Sequence, residues 1–171
     1  MSTFPIRQKL IDIARREVGV VESPPGSNTG KRVLDYQRAT SLEGTGWAWC
    51  AAFVCWCVRE WLKDAEVLYA LNFTPEQAEK WRPKTAAAFG FHAWADEHRI
   101  IRFGDSMKNV LHTGDIMTFD MSHVGIVVDD SGDFVTTIEG NTSDAGSRDG
   151  GGVFVKKRHR SEARQFIRIL T

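Results

Sequence analysis

The segment from residue 50 to residue 62 is apolar on nearly every side when it is drawn as a helix, and its few charges lie near its end. A helix that is apolar all round is stable only where other elements cover it, so we expect it at the centre of the fold. Cys55 and Cys57 fall inside this helix and are expected in the core. Cys50 differs, because it is the first residue of the helix and follows a loop with two glycines.

The order of the other elements predicts the fold class. Hydrophobic periodicity and turn residues indicate helices first and strands after Gly104. This order predicts an α+β domain in which the helix that begins at Cys50 packs on an antiparallel sheet. We expect one domain over 1–171, with a helical insertion at 63–109. The predicted helices span 5–18, 31–38, 50–62 and 85–98, with a capping box at 74–77, and the predicted strands span 114–119, 123–129, 133–139, 153–157 and 165–170.

Composition and charge exclude several classes of partner. Lysine plus arginine and aspartate plus glutamate both number 22, so the net charge is zero and gives no general attraction to nucleic acid or anionic lipid. The basic run at 156–160 is expected to be a solvated strand end and turn. No segment is apolar for long enough to span a bilayer, so we expect no membrane insertion. Residues 1–7 lack the pattern of a secretory signal, so we expect synthesis in the cytoplasm without a signal peptide.

Cys50 lies where a thiol nucleophile would be placed. The free N–H groups and the positive dipole end of a helix N-terminus stabilise a thiolate. The same N–H groups can hold the oxyanion that forms when the thiolate attacks an amide carbonyl. The alternative is that Cys50 is a small buried hydrophobe, the common fate of a free cysteine. All three cysteines are expected to be reduced thiols, without a disulfide or a zinc site.

A hairpin supplies a base and an acid for this thiol. Residues 129–133 form a turn with a glycine, and pairing its two ends places His123 opposite Glu139. Asn141 would also lie near the histidine if the strand continues. Taken singly, the histidine could instead be a structural residue at a strand end and the glutamate a surface carboxylate. His112 is the rival base, but no acid lies at cross-strand spacing from it.

Four segments of the chain resemble the CHAP family, the cysteine, histidine-dependent amidohydrolases and peptidases with a papain-like fold. The resemblance extends in the right order over roughly residues 17–155. It implies that Cys50 is the nucleophile, His123 the base, Glu139 the third catalytic residue and Asn141 a supporting polar residue. The four segments are W-C-A-A-F-V at 49–54, T-G-D-I-M-T-F at 113–119, S-H-V-G-I-V at 122–127 and I-E-G-N-T at 138–142.

By this resemblance the substrate is peptidoglycan, cleaved at an amide bond. The enzyme would be an N-acetylmuramoyl-L-alanine amidase or an endopeptidase of the stem or cross-bridge. Trp47 and Trp49 flank the nucleophile and are expected to contact sugar or peptide, with packing as the alternative. Some family members bind calcium through an acidic loop before the cysteine. Here the corresponding region, 22–36, has only Glu22 and Asp35 as acids, so we expect no metal and no other cofactor.

Other functions remain open at this point. An NlpC/P60-type endopeptidase shares the fold and the Cys-His pair, and a non-catalytic wall-binding or structural module could use the same scaffold. A third alternative is a cytosolic thiol enzyme that acts on small amides. A wall hydrolase without a signal suits a phage lysin or a secreted antibacterial toxin that acts in the periplasm or cell wall after release or delivery. Its partners would then include a cognate immunity protein or a delivery machinery.

Overall fold

Helices precede strands along the chain, in the order that the sequence predicts. The computed structural model describes residues 3–105, 109–144 and 150–171. The helices are α1 (Phe4–Arg16), α2 (Lys31–Gln37), α3 (Cys50–Trp61), α4 (Ala65–Leu71), α5 (Pro75–Trp81) and α6 (Gly90–Glu97). The strands are β1 (Ile101–Phe103), β2 (Ile116–Phe119), β3 (His123–Asp130), β4 (Phe134–Thr142), β5 (Gly152–His159) and β6 (Ala163–Arg168), and a short 3-10 helix (Arg160–Glu162) joins the last two.

The strands of the described residues form one antiparallel sheet in the order β1-β6-β2-β3-β4-β5. Helices combined with an antiparallel sheet confirm the α+β class. β1 was not predicted, because a three-residue edge strand is too short to show alternation in the sequence. It pairs with β6 and so extends the sheet by one strand on the side away from β3 and β4.

α3 is buried, as its apolar sequence predicts. Every residue from Cys50 to Val58 is buried, and so is Trp61. α1 and α2 contact the helix, and so do β3 and β4 of the sheet. The ring of Tyr36 in α2 packs against three aromatic rings at this end of α3, with centroid distances between 5.3 and 5.5 Å. Neither α3 nor any other helix of the described residues is both long and apolar enough to cross a membrane.

The described part of the segment 63–109 is mainly helical, since it contains α4, α5 and α6 before β1. The capping box expected at 74–77 is present at the start of α5. The helix expected over 85–98 is shorter and confined to α6. Its first residues form a turn instead, in which Oγ1 of Thr85 accepts a hydrogen bond from the N–H of Ala87 at 3.1 Å. That this segment is an insertion stays a prediction.

The basic run at 156–160 is only partly the solvated segment that we expected. It lies mostly on β5, where alternation turns every second side chain inward, and Arg158 and Arg160 are buried. Buried arginines need carboxylate partners. Arg160 pairs with Asp105 at 2.8 Å and with Asp130 at 2.9 Å. The partner of Arg158 belongs to the candidate active site.

Gly140 allows β4 to approach α3 closely. A Cβ added at this position would lie 2.6 Å from Cβ of Phe53 and 2.9 Å from the ring of Trp49. We predict that Gly140→Ala lowers the free energy of unfolding by about 1–3 kcal/mol, because the sheet and the helix must separate to admit the methyl group. Gly104→Ala is the control, since nothing lies within 4 Å of a Cβ there. Chemical denaturation measures both variants, and equal stabilities would contradict the close approach.

Candidate active site

Cys50 lies at the first residue of α3. The first intrahelical hydrogen bond runs from the N–H of Phe53 to the carbonyl of Trp49 at 2.9 Å, so the N–H groups of residues 50–52 precede it. Cys50 keeps 7% of its surface exposed. Cys50 is therefore beside backbone donors and keeps a small exposed fraction, in agreement with the helix start that the sequence predicts for a nucleophile.

The other two cysteines are core residues, as expected. Cys55 and Cys57 are both 0% exposed, and all three cysteines are free thiols. Burial raises the pKa of Cys55 to about 12 and raises the pKa of Cys57 well above its usual range. These two side chains therefore stay protonated near neutral pH and have no access to a substrate.

His123 is the first residue of β3 and has no exposed surface. Its Nε2 lies 2.9 Å from Oε2 of Glu139, and Nδ1 has no hydrogen-bond partner among the residues that the structure describes. Burial alone lowers the pKa of His123, but the interactions with Cys50 and Glu139 outweigh it and raise the pKa above its usual range. Since Nε2 faces the carboxylate, Nδ1 is the nitrogen available to Cys50. The rival base, His112, has its pKa lowered by burial and by two arginines, and Cys50 does not act on it.

The hairpin that joins β3 and β4 does not have the expected register. Asp129 pairs with Thr136 and not with Asp133. On the side of the hairpin away from the turn, a bulge between residues 127 and 129 shifts the register. Beyond the bulge, Ile126 pairs with Ile138. The expected register is therefore wrong by two residues at the end of the hairpin that carries the histidine.

Glu139 nevertheless reaches His123, because an error of two residues keeps a side chain on the same face of a strand. Continuing the observed register places Glu139 opposite Gly125, and a Cβ on Gly125 would lie only 2.7 Å from Cγ of Glu139. The absent side chain of Gly125 is what allows the carboxylate to cross diagonally to the imidazole. The predicted pair is thus correct, although the geometry that brings it together is different.

Glu139 has further partners that the sequence analysis did not identify. Its carboxylate accepts hydrogen bonds from Oγ1 of Thr137 at 2.6 Å, from Nε of Arg158 at 2.9 Å and from Nη2 of Arg158 at 2.6 Å. Burial alone would raise the pKa of Glu139, but the hydrogen bonds from Arg158 and His123 lower it below its usual range. The carboxylate is therefore ionised although it has no exposed surface.

Asn141 makes no hydrogen bond to His123 within the described residues, and its support of the histidine stays a prediction. Its Oδ1 accepts the backbone N–H of Trp49 at 2.9 Å, and its Nδ2 donates to the Gly150 carbonyl at 2.9 Å and to Oδ1 of Asn28 at 3.1 Å. Asn141 has a positive φ of 54°, which turns its side chain out of the strand pattern. Through these hydrogen bonds it fixes the backbone immediately before Cys50.

The two tryptophans before the nucleophile have different surroundings. Trp49 is 0% exposed, stacks on Tyr36 and donates from Nε1 to Glu22 at 2.9 Å, which agrees with packing, the second of the two expectations. Trp49 packs in the core because it directly precedes the first residue of α3 and lies against Tyr36 of α2. Trp47 is half-buried, and its carbonyl accepts a hydrogen bond from Gln37 at 3.0 Å. Contact between Trp47 and a substrate stays a prediction.

The two acids of the region 22–36 do not form a shared site. Glu22 accepts hydrogen bonds from Trp49 and, at 3.3 Å, from Asn141, whereas Asp35 pairs with Arg32 at 3.4 Å. Within the described ranges, no group of three or more histidine, cysteine, aspartate or glutamate side chains could hold a metal ion. That the protein needs no metal and no other cofactor stays a prediction.

Comparison with known families confirms the resemblance. A family model described as the CHAP domain matches residues 42–141, which is more than half of the chain. The chain therefore belongs to the CHAP family, whose members are typically cysteine- and histidine-dependent amidases or peptidases. The matched residues include Cys50, His123 and Glu139. Comparison with curated proteins gives no match.

The raised pKa of His123 predicts a dependence of stability on pH. The stability that it contributes is complete below about pH 6.5, the ordinary pKa of histidine, and is lost as the pH rises through the raised pKa. We predict that the free energy of unfolding of the wild type falls over this range and that His123→Gln, which cannot titrate, shows a smaller fall. Urea unfolding at several pH values measures the difference. His159→Gln, at an exposed position of β5, is the control, and parallel curves for wild type and His123→Gln would contradict the raised pKa.

Proposed function

We propose that this CHAP-family protein is a cysteine amidohydrolase or peptidase that cleaves an amide bond of peptidoglycan. The observation that supports the proposal is the arrangement of three neighbouring groups: Nε2 of His123 lies 2.9 Å from Oε2 of Glu139, and Cys50 acts on His123 and raises its pKa. It joins a thiol at a helix start, an imidazole and an ionised carboxylate, the groups that nucleophilic amide hydrolysis needs. Family membership supports peptidoglycan as the class of substrate.

The first chemical step forms a thioester. With Nε2–H of His123 donating to Glu139, Nδ1 holds the proton that it has taken from Sγ of Cys50, as the raised pKa of His123 favours, and the thiolate attacks the amide carbonyl. The carbonyl oxygen becomes an oxyanion beside the N–H groups of residues 50–52, which are free of intrahelical bonds. Nδ1 then gives its proton to the leaving amine as the C–N bond breaks, and the acyl group stays on the sulfur.

The second step releases the acyl group. Nδ1 of His123 takes a proton from water, the resulting hydroxide attacks the thioester, and the proton returns to the sulfur of Cys50 as the carboxylic acid leaves. Glu139 stays ionised in both steps and stabilises the imidazolium that forms in each. It also holds the imidazole ring with Nδ1 turned toward the thiol.

Cys50 is the first of the three catalytic residues that the substrate meets. His123 and Glu139 have no exposed surface, so of the three only Cys50 is reached from solvent. In this proposal the substrate carbonyl approaches Cys50 along the N-terminus of α3, and half-buried Trp47 contributes to its binding. Whether the scissile bond joins sugar to peptide or lies within the peptide is decided by mass spectrometry of the released fragments.

Two alternatives have less support. An NlpC/P60-type endopeptidase would use the same pair of Cys50 and His123, but the family model that matches is the CHAP domain. A non-catalytic wall-binding module has no need for a buried, ionised Glu139 beside a buried histidine, an arrangement that is costly to desolvate. The roles of phage lysin or secreted toxin, with an immunity protein or a delivery machinery as partner, stay predictions.

We predict that Cys50→Ala releases no soluble fragments from purified peptidoglycan, because the nucleophile is removed, and that its unfolding midpoint stays near that of the wild type. Cys55→Ala is the matched control, since it makes the same change in the same helix at a position without exposed surface, and it should hydrolyse the wall at the wild-type rate. EDTA should leave the wild-type rate unchanged. Fragment release by Cys50→Ala at the wild-type rate would show that the proposed function or its nucleophile is wrong.

A further inference from the structure

Arg158 binds both oxygens of the catalytic carboxylate, including Oε2, the oxygen that faces His123. Nε and Nη2 of its guanidinium donate to the two different oxygens of Glu139, at 2.9 and 2.6 Å, which is the two-pronged geometry that fixes a carboxylate most strongly. Arg158 is only 7% exposed. Its guanidinium carbon lies 5.2 Å from the ring centroid of Phe119, and Nη1 lies 3.6 Å from Oε2 of Glu162. The guanidinium is thus held in place by an ion pair, a ring and a second carboxylate.

A buried carboxylate that pairs with both a histidine and an arginine has a lower pKa than one that pairs with a histidine alone. Without a permanent cation, burial would favour the protonated form of Glu139, and a protonated carboxyl cannot stabilise an imidazolium. Thr137, the remaining donor, is neutral and supplies one hydrogen bond. Arg158 is therefore the permanent charge that opposes the desolvation of Glu139.

We propose that Arg158 is a positioning residue that keeps Glu139 ionised and turned toward His123, so that Cys50 faces an imidazole in one fixed orientation. This inference rests on the proposed thiol chemistry of Cys50. The charged and titratable groups that act on one another here, from the thiol to the 3-10 helix, come from five elements. They are Cys50 on α3, His123 on β3, Glu139 on β4, Arg158 on β5 and Glu162 after β5.

The electrostatics of the pair agree with this role. Among the interactions that lower the pKa of Glu139, the hydrogen bond from Arg158 is the largest, and the same contact raises the pKa of Arg158. Removing the guanidinium therefore raises the pKa of Glu139. As the pH falls, Glu139 then becomes protonated at a higher pH than in the wild type, and His123 loses its anionic partner there.

The test measures the rate at which iodoacetamide alkylates Cys50 as a function of pH, alongside peptidoglycan hydrolysis. We expect Arg158→Met to slow alkylation at neutral pH by roughly ten-fold or more, the range in which partners behind a functional histidine usually act. We also expect the acid side of its pH profile to move up by about one unit or more. Arg158→Lys should restore the acid side, because it keeps the charge, but only part of the rate, because an ammonium cannot donate in the same fork.

A double-mutant cycle separates positioning from folding. Arg158→Met alone leaves a buried carboxylate without its cation, whereas Arg158→Met/Glu139→Gln leaves no unpaired charge and so folds more readily. If Arg158 acts through Glu139, the double variant alkylates no more slowly than Glu139→Gln. Independent, additive losses would overturn the proposal. If Arg158→Met does not fold, the profile of Arg158→Lys decides, and a wild-type rate there would overturn it.

Arg160→Met is the matched control. Arg160 is 3% exposed, pairs with two carboxylates and lies 5.6 Å from the ring of Phe166, but it contacts none of the three catalytic residues. We expect Arg160→Met to lower the unfolding midpoint and leave the pH profile of alkylation unchanged. Equal profiles for Arg158→Met and Arg160→Met would show that Arg158 is merely structural. Because alkylation needs no substrate, such a failure is distinct from a failure of the wild type to cleave peptidoglycan.

Discussion

The burial of α3 sets the arrangement of the other elements. Since almost every residue of this helix is apolar, α1, α2 and the sheet all have to contact it, and these contacts fix where its first residue lies. Cys50 is at that first residue and is the one cysteine that keeps some exposed surface. The burial that stabilises the fold therefore also places the thiol of Cys50 beside free backbone donors. It lies near the first residue of β3 and the last residues of β4.

β4 then positions both sides of the reaction centre. Glu139 holds His123, and Asn141, two residues later, holds the backbone N–H of Trp49 next to the nucleophile. Alternation alone would place both side chains on one face, but the positive φ of Asn141 turns its amide toward the nucleophile loop. Gly140 between them has no side chain, so the strand can lie against α3. One strand thus fixes the thiol relative to the imidazole through short, buried contacts.

The sequence predicts most of the elements and singles out Cys50, His123 and Glu139 as candidate catalytic residues, because both follow from local patterns and from motifs that lie within elements. It does not predict the exact hairpin register, since the bulge before Asp129 depends on how the sheet twists and packs. The pairing of His123 with Glu139 survives because the resulting shift is an even number of residues. The hydrogen bonds of Asn141 were not predicted, because a left-handed backbone at a non-glycine residue leaves no periodic signal.

Arg158 was missed for a related reason. Its place in a basic run suggests solvent, whereas its burial depends on the alternation of β5 and on the pairing of that strand with β4. The signal that could have revealed it is the combination of that alternation with an acid on the neighbouring strand. Tertiary pairing of charges is in general weakly encoded in local sequence, because the partners lie on different strands.

The protonation of His123 is the most direct measure of the central claim that Cys50, His123 and Glu139 act as one unit. Nitrogen NMR of protein labelled at its five histidines, with His123→Gln to assign the signal, follows both ring nitrogens from about pH 5 to about pH 9. The account predicts that Nε2 of His123 stays protonated throughout and that the imidazolium persists above the usual pKa range of histidine. It also predicts that Glu139→Gln lowers the pKa of His123. A His123 that titrates near about 6.5 in both proteins would contradict the account.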